Sequence, residues 1–301
     1  MLYKSENDFV KELKYGGSIK SLFAVSDKVI KRGKSGFRYI DVILSDKTGT
    51  IVGRFLSGDK TDEIYASIRT GVVCRIIGTV DEFPKGSGSF SIKLDKIEVC
   101  SEGEYDIDDF KRVSEKDRDA LIAKIESAID QIQNEDLKSI LQAFFSDARF
   151  KGEFYDAPSA KKMHHNYTGG LLEHTVEVLK ICETACEIFS ELNRDLLYTG
   201  AILHDVGKLR TYDYGPLSIE ISKEGDLLEH LVISYEMIRE KMRTLDIPEE
   251  LSTKLLHVVL SHHGEVKNGW GSPVNPKIPE AIALHHADNL DAKIKGRLQS
   301  D

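Results

Sequence analysis

Near residue 110 the apolar residues of this chain change their period, and that change limits the architecture more than any other feature of the sequence. From Ile19 to about Val99 apolar and polar residues alternate, as they do in strands with one buried face. "SLFAVSDKVIKRG", "FRYIDVILSD", "TIVGRFLSG", "VVCRIIGTVDEF" and "SFSIKLDKIEV" predict five strands. Asp46 to Gly49 predicts a tight turn between the second and third, and Pro84 to Gly88 the last hairpin loop. Ile64, Tyr65 and Ile68 stand at helical spacing between Asp59 and Thr70. Five short strands with one helix after the third describe an OB-fold barrel. The acidic stretch "SEGEYDIDDF" is suited to a linker. Beyond it, "DALIAKIESAIDQI" and "DLKSILQAFF" open a helical region running to the C-terminus, with Ser114 and Asp117 arranged like a capping box. Two domains are expected: an all-β barrel over residues 1–110, including an N-terminal extension, and an all-α bundle over residues 111–301.

Charge divides along the same line. The net charge of −9 argues against a protein that coats nucleic acid indiscriminately. Yet residues 1–100 carry 17 Lys+Arg against 13 Asp+Glu, while the remaining 201 carry 24 against 37. A mildly basic barrel joined to an acidic domain can still hold a polyanion locally. Lys28, Lys31, Arg32, Lys34 and Arg38 cluster around the first hairpin, with Phe37 and Tyr39 between them. Arg54 and Phe55 follow on the third strand. Cations that track a phosphate backbone, with rings on which bases stack, make a single-strand-binding groove. A solvated hairpin over two core aromatics would contain the same residues. No apolar run of about 18 residues predicts a membrane span. The N-terminus lacks the apolar core of a secretory signal, and Cys74, Cys100, Cys182 and Cys186 follow no Cys-x-x-Cys pattern. A reduced, cytoplasmic protein is expected.

All ten histidines fall between residues 164 and 286. Several occupy positions that an apolar helix stripe would otherwise fill. Leu171, His174, Val178 and Cys182 share one face of "GGLLEHTVEVLKICETACEIF". His204 and Asp205 end the apolar run "LLYTGAILHD", and His230 lies near the start of the helix in "GDLLEHLVISYEMI". Leu251, Leu255, Val258 and His262 form a stripe with His263 adjacent, and Ala281, Leu284 and Asp288 form another. One inward histidine is ordinarily a satisfied core residue. Five helices each offering an inward imidazole or carboxylate would strongly destabilise a core if those groups stayed unpaired. Divalent metal resolves the conflict, and Asp205 is placed to bridge two ions. Gly207 then permits a sharp turn at the helix end, and Lys208 points a cation at an anion held by the metals.

At these residues the sequence resembles the HD-domain metal-dependent phosphohydrolases. The order His174, His204-Asp205, Asp288 matches their defining pattern, and His230 with His262-His263 matches the further ligands of their two-metal branch. The match covers roughly residues 160–295. With an OB barrel in front, and with "AKKMHHNYTGGLLEHT" leading into the HD domain, nearly the whole chain is similar to the YhaM-type 3′-to-5′ exoribonucleases. That resemblance implies metal-dependent removal of nucleotides from a single-stranded RNA 3′ end, with manganese favoured. Iron, cobalt or nickel also suits imidazole with carboxylate. One ion would be held by His174, His204, Asp205 and Asp288. A second would share Asp205 and add His230, with His262, His263 or both. Lys208 would steady phosphate oxygens, and His164, His165 and Tyr167 would lie on the substrate side, although His164 and His165 also suit a surface loop. The chain departs from the group at Glu229, where a small residue is expected before His230. Two other readings use the same motifs: a nucleotide or cyclic-dinucleotide phosphohydrolase, and a non-catalytic single-strand-binding protein. The sequence leaves RNA versus DNA preference and oligomeric state open.

Overall fold

The computed structural model describes residues 4–33, 36–56, 60–82, 85–161 and 165–299; Lys34, Asp59, Pro84 and His164 of the expectations above lie outside them. The chain divides into two compact units, Met1–Arg112 with Gly215–Ile219, and Val113–Tyr214 with Glu220–Asp301.

The first unit is a closed barrel of β1 (Ser18–Arg32), β2 (Arg38–Asp46), β3 (Gly49–Phe55), β4 (Val72–Glu82) and β5 (Phe90–Val99), in the order β1-β2-β3-β5-β4. β4 returns to pair antiparallel with β1, and β3 pairs parallel with β5. Helix α1 (Thr61–Ser67) sits between β3 and β4 in the chain. Alternation supplies the core: Phe23, Val25, Ile40, Val42, Leu44, Ile76 and Ile92 are fully buried. Asp46 closes the β2–β3 turn by accepting from the Thr48 N–H at 2.9 Å and its hydroxyl at 2.6 Å. The acidic stretch expected to be a linker is instead packed on the barrel. Asp106 caps a short 3-10 turn, and Phe110 is buried with Leu22, Ala24 and Val73.

The second unit is helical: α2 (Arg118–Asp130), α3 (Glu135–Phe145), α4 (Ala148–Asp156), α5 (Gly170–Ile188), α6 (Arg194–Leu203), α7 (Lys208–Thr211), α8 (Lys223–Met242), α9 (Glu249–Leu260) and α10 (Pro279–Leu298). A small hairpin, Tyr212–Tyr214 with Ile219–Ile221, follows α7. Asp117, Asn134, Asp147, Asn193 and Ser222 cap their helices through side-chain oxygens that accept backbone N–H groups. Ser114 does not complete a capping box. Its hydroxyl donates to Glu173 Oε2 at 2.5 Å, 59 residues away, so Asp117 caps α2 alone. Helix α6 is buried from Leu196 to Leu203, with α5, α9 and α10 among the elements packed around it. That central helix delivers its C-terminal end, His204-Asp205, into the interior. Among the described residues no helix is long and apolar enough to cross a membrane.

Candidate metal centre

Helix ends decide how the histidines point. The last carbonyls of a helix lack intrahelical partners. His204, just past α6, donates Nδ1–H to the Ala201 carbonyl at 2.8 Å; His262, just past α9, does the same to Val259 at 2.7 Å. A carbonyl only accepts, so Nδ1 carries the proton in both rings and Nε2 is left with a bare lone pair. His263 is fixed likewise by the Trp270 carbonyl at 2.5 Å, and His174 by Asp291 Oδ2 at 2.6 Å.

Those lone pairs converge. His174 Nε2 lies 3.2 Å from His204 Nε2, 3.4 Å from Asp205 Oδ2 and 3.3 Å from Asp288 Oδ1. His204 Nε2 is 3.3 Å from the same Asp205 oxygen. On the other side, Asp205 Oδ1 lies 3.5 Å from His230 Nε2 and 3.6 Å from His262 Nε2, and His230 Nε2 is 3.2 Å from His263 Nε2. The two oxygens of one carboxylate therefore face two separate groups of ligand atoms. Ligands about 2.0–2.2 Å from a common ion stand roughly 3.0–3.5 Å apart at octahedral or tetrahedral angles, which is the spacing found here. Without a cation, lone pairs would face each other across 3.2 Å.

The unpaired atoms make the same point. Both Asp205 oxygens and His262 Nε2 are buried without a hydrogen-bond partner. Each such atom costs about 1–3 kcal/mol if left so. Lys208 Nζ approaches Asp205 Oδ2 at 2.6 Å as an ion pair and donates to Ser159 Oγ at 3.1 Å. Burial opposes the charge of Asp205, and the Lys208 ammonium more than offsets it, holding the carboxyl well below its usual range. Burial likewise opposes the charge of Asp288, and its contact with His174 outweighs it, leaving this carboxyl ionised too. Burial drives His262 far down and His230 to about 3, so both stay neutral and able to ligate. Burial also disfavours a cation on His174, yet Asp205, Asp288 and Asp291 overcome it and raise its pKa. Surroundings that favour a proton there would favour a metal ion more. Neutral imidazoles with ionised carboxylates fit a divalent metal.

The sequence did not foresee every role at this centre. Gly207 makes no sharp turn: its φ is −62° and its ψ −19°, both helical. It is needed for close approach, because a Cβ would lie 2.3 Å from the His230 carbonyl and 2.5 Å from the Ser234 nitrogen. His165 and Tyr167 are not on a substrate-facing surface. Both are buried behind His174, where His165 Nε2 lies 3.0 Å from Asp291 and Tyr167 donates to Glu173 Oε2 at 3.0 Å. Asp291, which orients His174, was missed although it follows Asp288 by three residues on the same helix face. Glu173, pinned by Ser114, Tyr167 and Lys295, gave no sequence signal.

The barrel residues fare differently. Asp41 is buried between β1 and β3, where Arg54 grips it at 2.8 and 3.1 Å and Lys31 at 2.9 Å. Arg38 is held by Asp62 at 2.5 and 2.7 Å. Lys28 donates to the carbonyls of Tyr65 and Ile68 at 2.5 and 2.6 Å. Phe55 packs half-buried against the core, and the Arg54 guanidinium lies 4.8 Å from the Tyr39 ring centre. Arg32 and Phe37 are exposed.

Comparison with known proteins places both units. The HD domain family matches residues 171–293, and an OB-fold nucleic acid binding domain family matches residues 24–100. The 3′-5′ exoribonuclease YhaM of Bacillus velezensis is 31% identical over 280 residues, covering 93% of this chain and 86% of that protein. Those of Geobacillus sp. and Bacillus subtilis are 34% and 33% identical, each over 86% of this chain and over 78% and 80% of their own lengths. The chain belongs to the YhaM-type exoribonuclease family. At Glu229, where the sequence leads one to expect a small residue, the backbone is strained. Glu229 has φ 60° and ψ 154° inside α8, a region that is essentially glycine's alone. In this YhaM-type chain the helix breaks there, and the next residue, His230, turns inward.

Proposed function

We propose that the protein is a metal-dependent 3′-5′ exoribonuclease that shortens single-stranded RNA from its 3′ end. The observation that carries this reading is the division of the two Asp205 oxygens between two groups of buried lone pairs. His174, His204, Asp205 and Asp288 would hold one divalent ion; His230, His262 and His263, with Asp205 shared, would hold the other. Manganese is favoured for both. Ions bound there would supply Lewis acidity, lowering the pKa of a water to about 7 and offsetting charge on the phosphodiester. The chain's own residues do the rest. Imidazoles fixed through Nδ1–H need no reorganisation during the reaction. Lys208 stays protonated beside Asp205 and sets a permanent positive charge where equatorial phosphate oxygens would lie.

The barrel would hold the strand. Since Arg54, Lys31 and Arg38 already serve internal carboxylates, aromatic stacking on Phe37 and Tyr39 would carry more of the affinity than counterion release. A slope of about 0.7 in log affinity per log salt is expected for each phosphate neutralised, so the total should stay near one or two such units. The four cysteines are free thiols, which suits a cytoplasmic enzyme. Digestion of 5′-labelled RNA with free and blocked 3′ ends, in each candidate ion, tests the proposal. A ladder that shortens from a free 3′ end supports it. Release of mononucleotides only from cyclic dinucleotides, with RNA untouched, would replace it.

A further inference from the structure

We propose that Trp270 is the stacking platform for a base flanking the scissile phosphodiester, joined through its own backbone to the metal centre; this rests on the exoribonuclease reading. Trp270 is the chain's sole tryptophan. It lies beyond a 3-10 turn, Val266–Asn268, between Gly269 at φ 71° and Gly271 at φ 99°. The carbonyl of Trp270 accepts from His263 Nδ1–H at 2.5 Å, which places the residue one hydrogen bond from a ligand atom of the centre. The residue is 49% exposed. Lys293, on the helix that supplies Asp288, sets its ammonium 5.3 Å from the ring centre.

A half-exposed tryptophan by itself is unremarkable. This one stands beside a cage that must engage the end of a strand whatever its sequence. Stacking meets that need, because every base has a π-face and hydrogen-bond readout would impose a preference. An ammonium next to the ring suits the phosphate that accompanies a stacked base. Residue 270 thus has two separable parts: a carbonyl that fixes His263 and a ring that would hold substrate. Trp270→Ala removes the second and keeps the first.

The sole tryptophan also reports directly. Metal-loaded full-length protein is titrated with a short oligoribonucleotide whose 3′ linkages are phosphorothioates, with resistance to cleavage checked by gel. Tryptophan emission should be quenched along the same curve that fluorescence anisotropy gives for a labelled strand. Trp270→Ala should raise KM roughly 5- to 150-fold, the range of one lost base–aromatic stack. It should leave kcat within a few-fold and bound metal unchanged, and Trp270→Phe should recover most of the loss. Unchanged emission at saturating strand would overturn the proposal, as would a Trp270→Ala variant that loses kcat or metal with KM constant. RNA shortened from its 3′ end while emission stays constant refutes the stack alone; RNA left intact refutes the enzyme.

Discussion

Each unit of the molecule buries carboxylates, and they solve the resulting problem in opposite ways. In the barrel, Asp41 is gripped by Arg54 and Lys31, and Asp46 by Lys4 at 3.1 Å together with the Val10 and Thr48 N–H groups. Both of these buried carboxylates are answered by the protein itself. In the helical unit, Asp205 and Asp288 face imidazole lone pairs, and both Asp205 oxygens lack hydrogen bonds. Lys208 is the nearby cation and approaches one oxygen alone. Buried charge that is closed on itself stabilises a fold or sets its register; buried charge left open is a site. The comparison also explains why basic residues around the first hairpin are a weaker RNA signal than they look. Several of them are already committed within the barrel.

The contrast can be broken at four points. Asp205→Ala should have the largest effect: a fall in exonuclease rate of about a thousandfold or more, measured on 5′-labelled RNA, with oligonucleotide binding by the barrel retained. Turnover that survives would mean the open cluster is structural. Asp41→Ala should do the reverse, destabilising the barrel by about 2 kcal/mol because Arg54 and Lys31 lose their partner, without changing bound metal. That cost is discounted because both partners keep solvent contact. Denaturant melts and metal analysis of the variant check both halves.

Lys4 gives a pH test of the closed cluster. Burial pushes it down to about 8 from 10.5, against the pull of Asp46. Between those values the unfolded chain holds a proton that the folded chain has released, so this group's contribution to stability rises with pH through that window. It is fully present above 10.5 and lost as pH falls to about 8. The stability gap between the wild type and Lys4→Met should therefore shift by up to about 3 kcal/mol across that interval, in favour of wild type as pH rises. A constant gap would show that Lys4 titrates normally. Glu229→Gly should have the smallest effect, a gain of about 1 kcal/mol, since relief of roughly 1–3 kcal/mol of backbone strain exceeds glycine's entropic cost. A lower melting temperature would place the helix break's origin elsewhere.

How much of this could be read beforehand follows from the range of each interaction. Alternation exposed the strands, because Ile40, Val42 and Leu44 obey a local rule. Helical spacing picked out His174, His262 and Asp288, and their neighbours in apolar runs together with the HD-type order added His204, Asp205, His230 and His263; the fold gathers all seven. Asp41 and Arg54 are opposite partners across β2 and β3, and only the register joins them. Ser114 meets Glu173, and His165 meets Asp291 across 126 residues, with no local pattern to announce either. Gly207 was noticed for the wrong reason: the sequence marks a helix end, whereas the constraint comes from the His230 carbonyl packed against it. The Trp270 carbonyl is invisible to any reading of side chains.

Metal stoichiometry of the purified protein tests the central claim most directly. Mass-spectrometric metal analysis, paired with calorimetric titration of chelated protein, should give two divalent ions per chain for the wild type and a loss at both positions in Asp205→Ala. A wild type that degrades RNA with fewer than one bound ion, or an Asp205→Ala variant that still binds two, would contradict it.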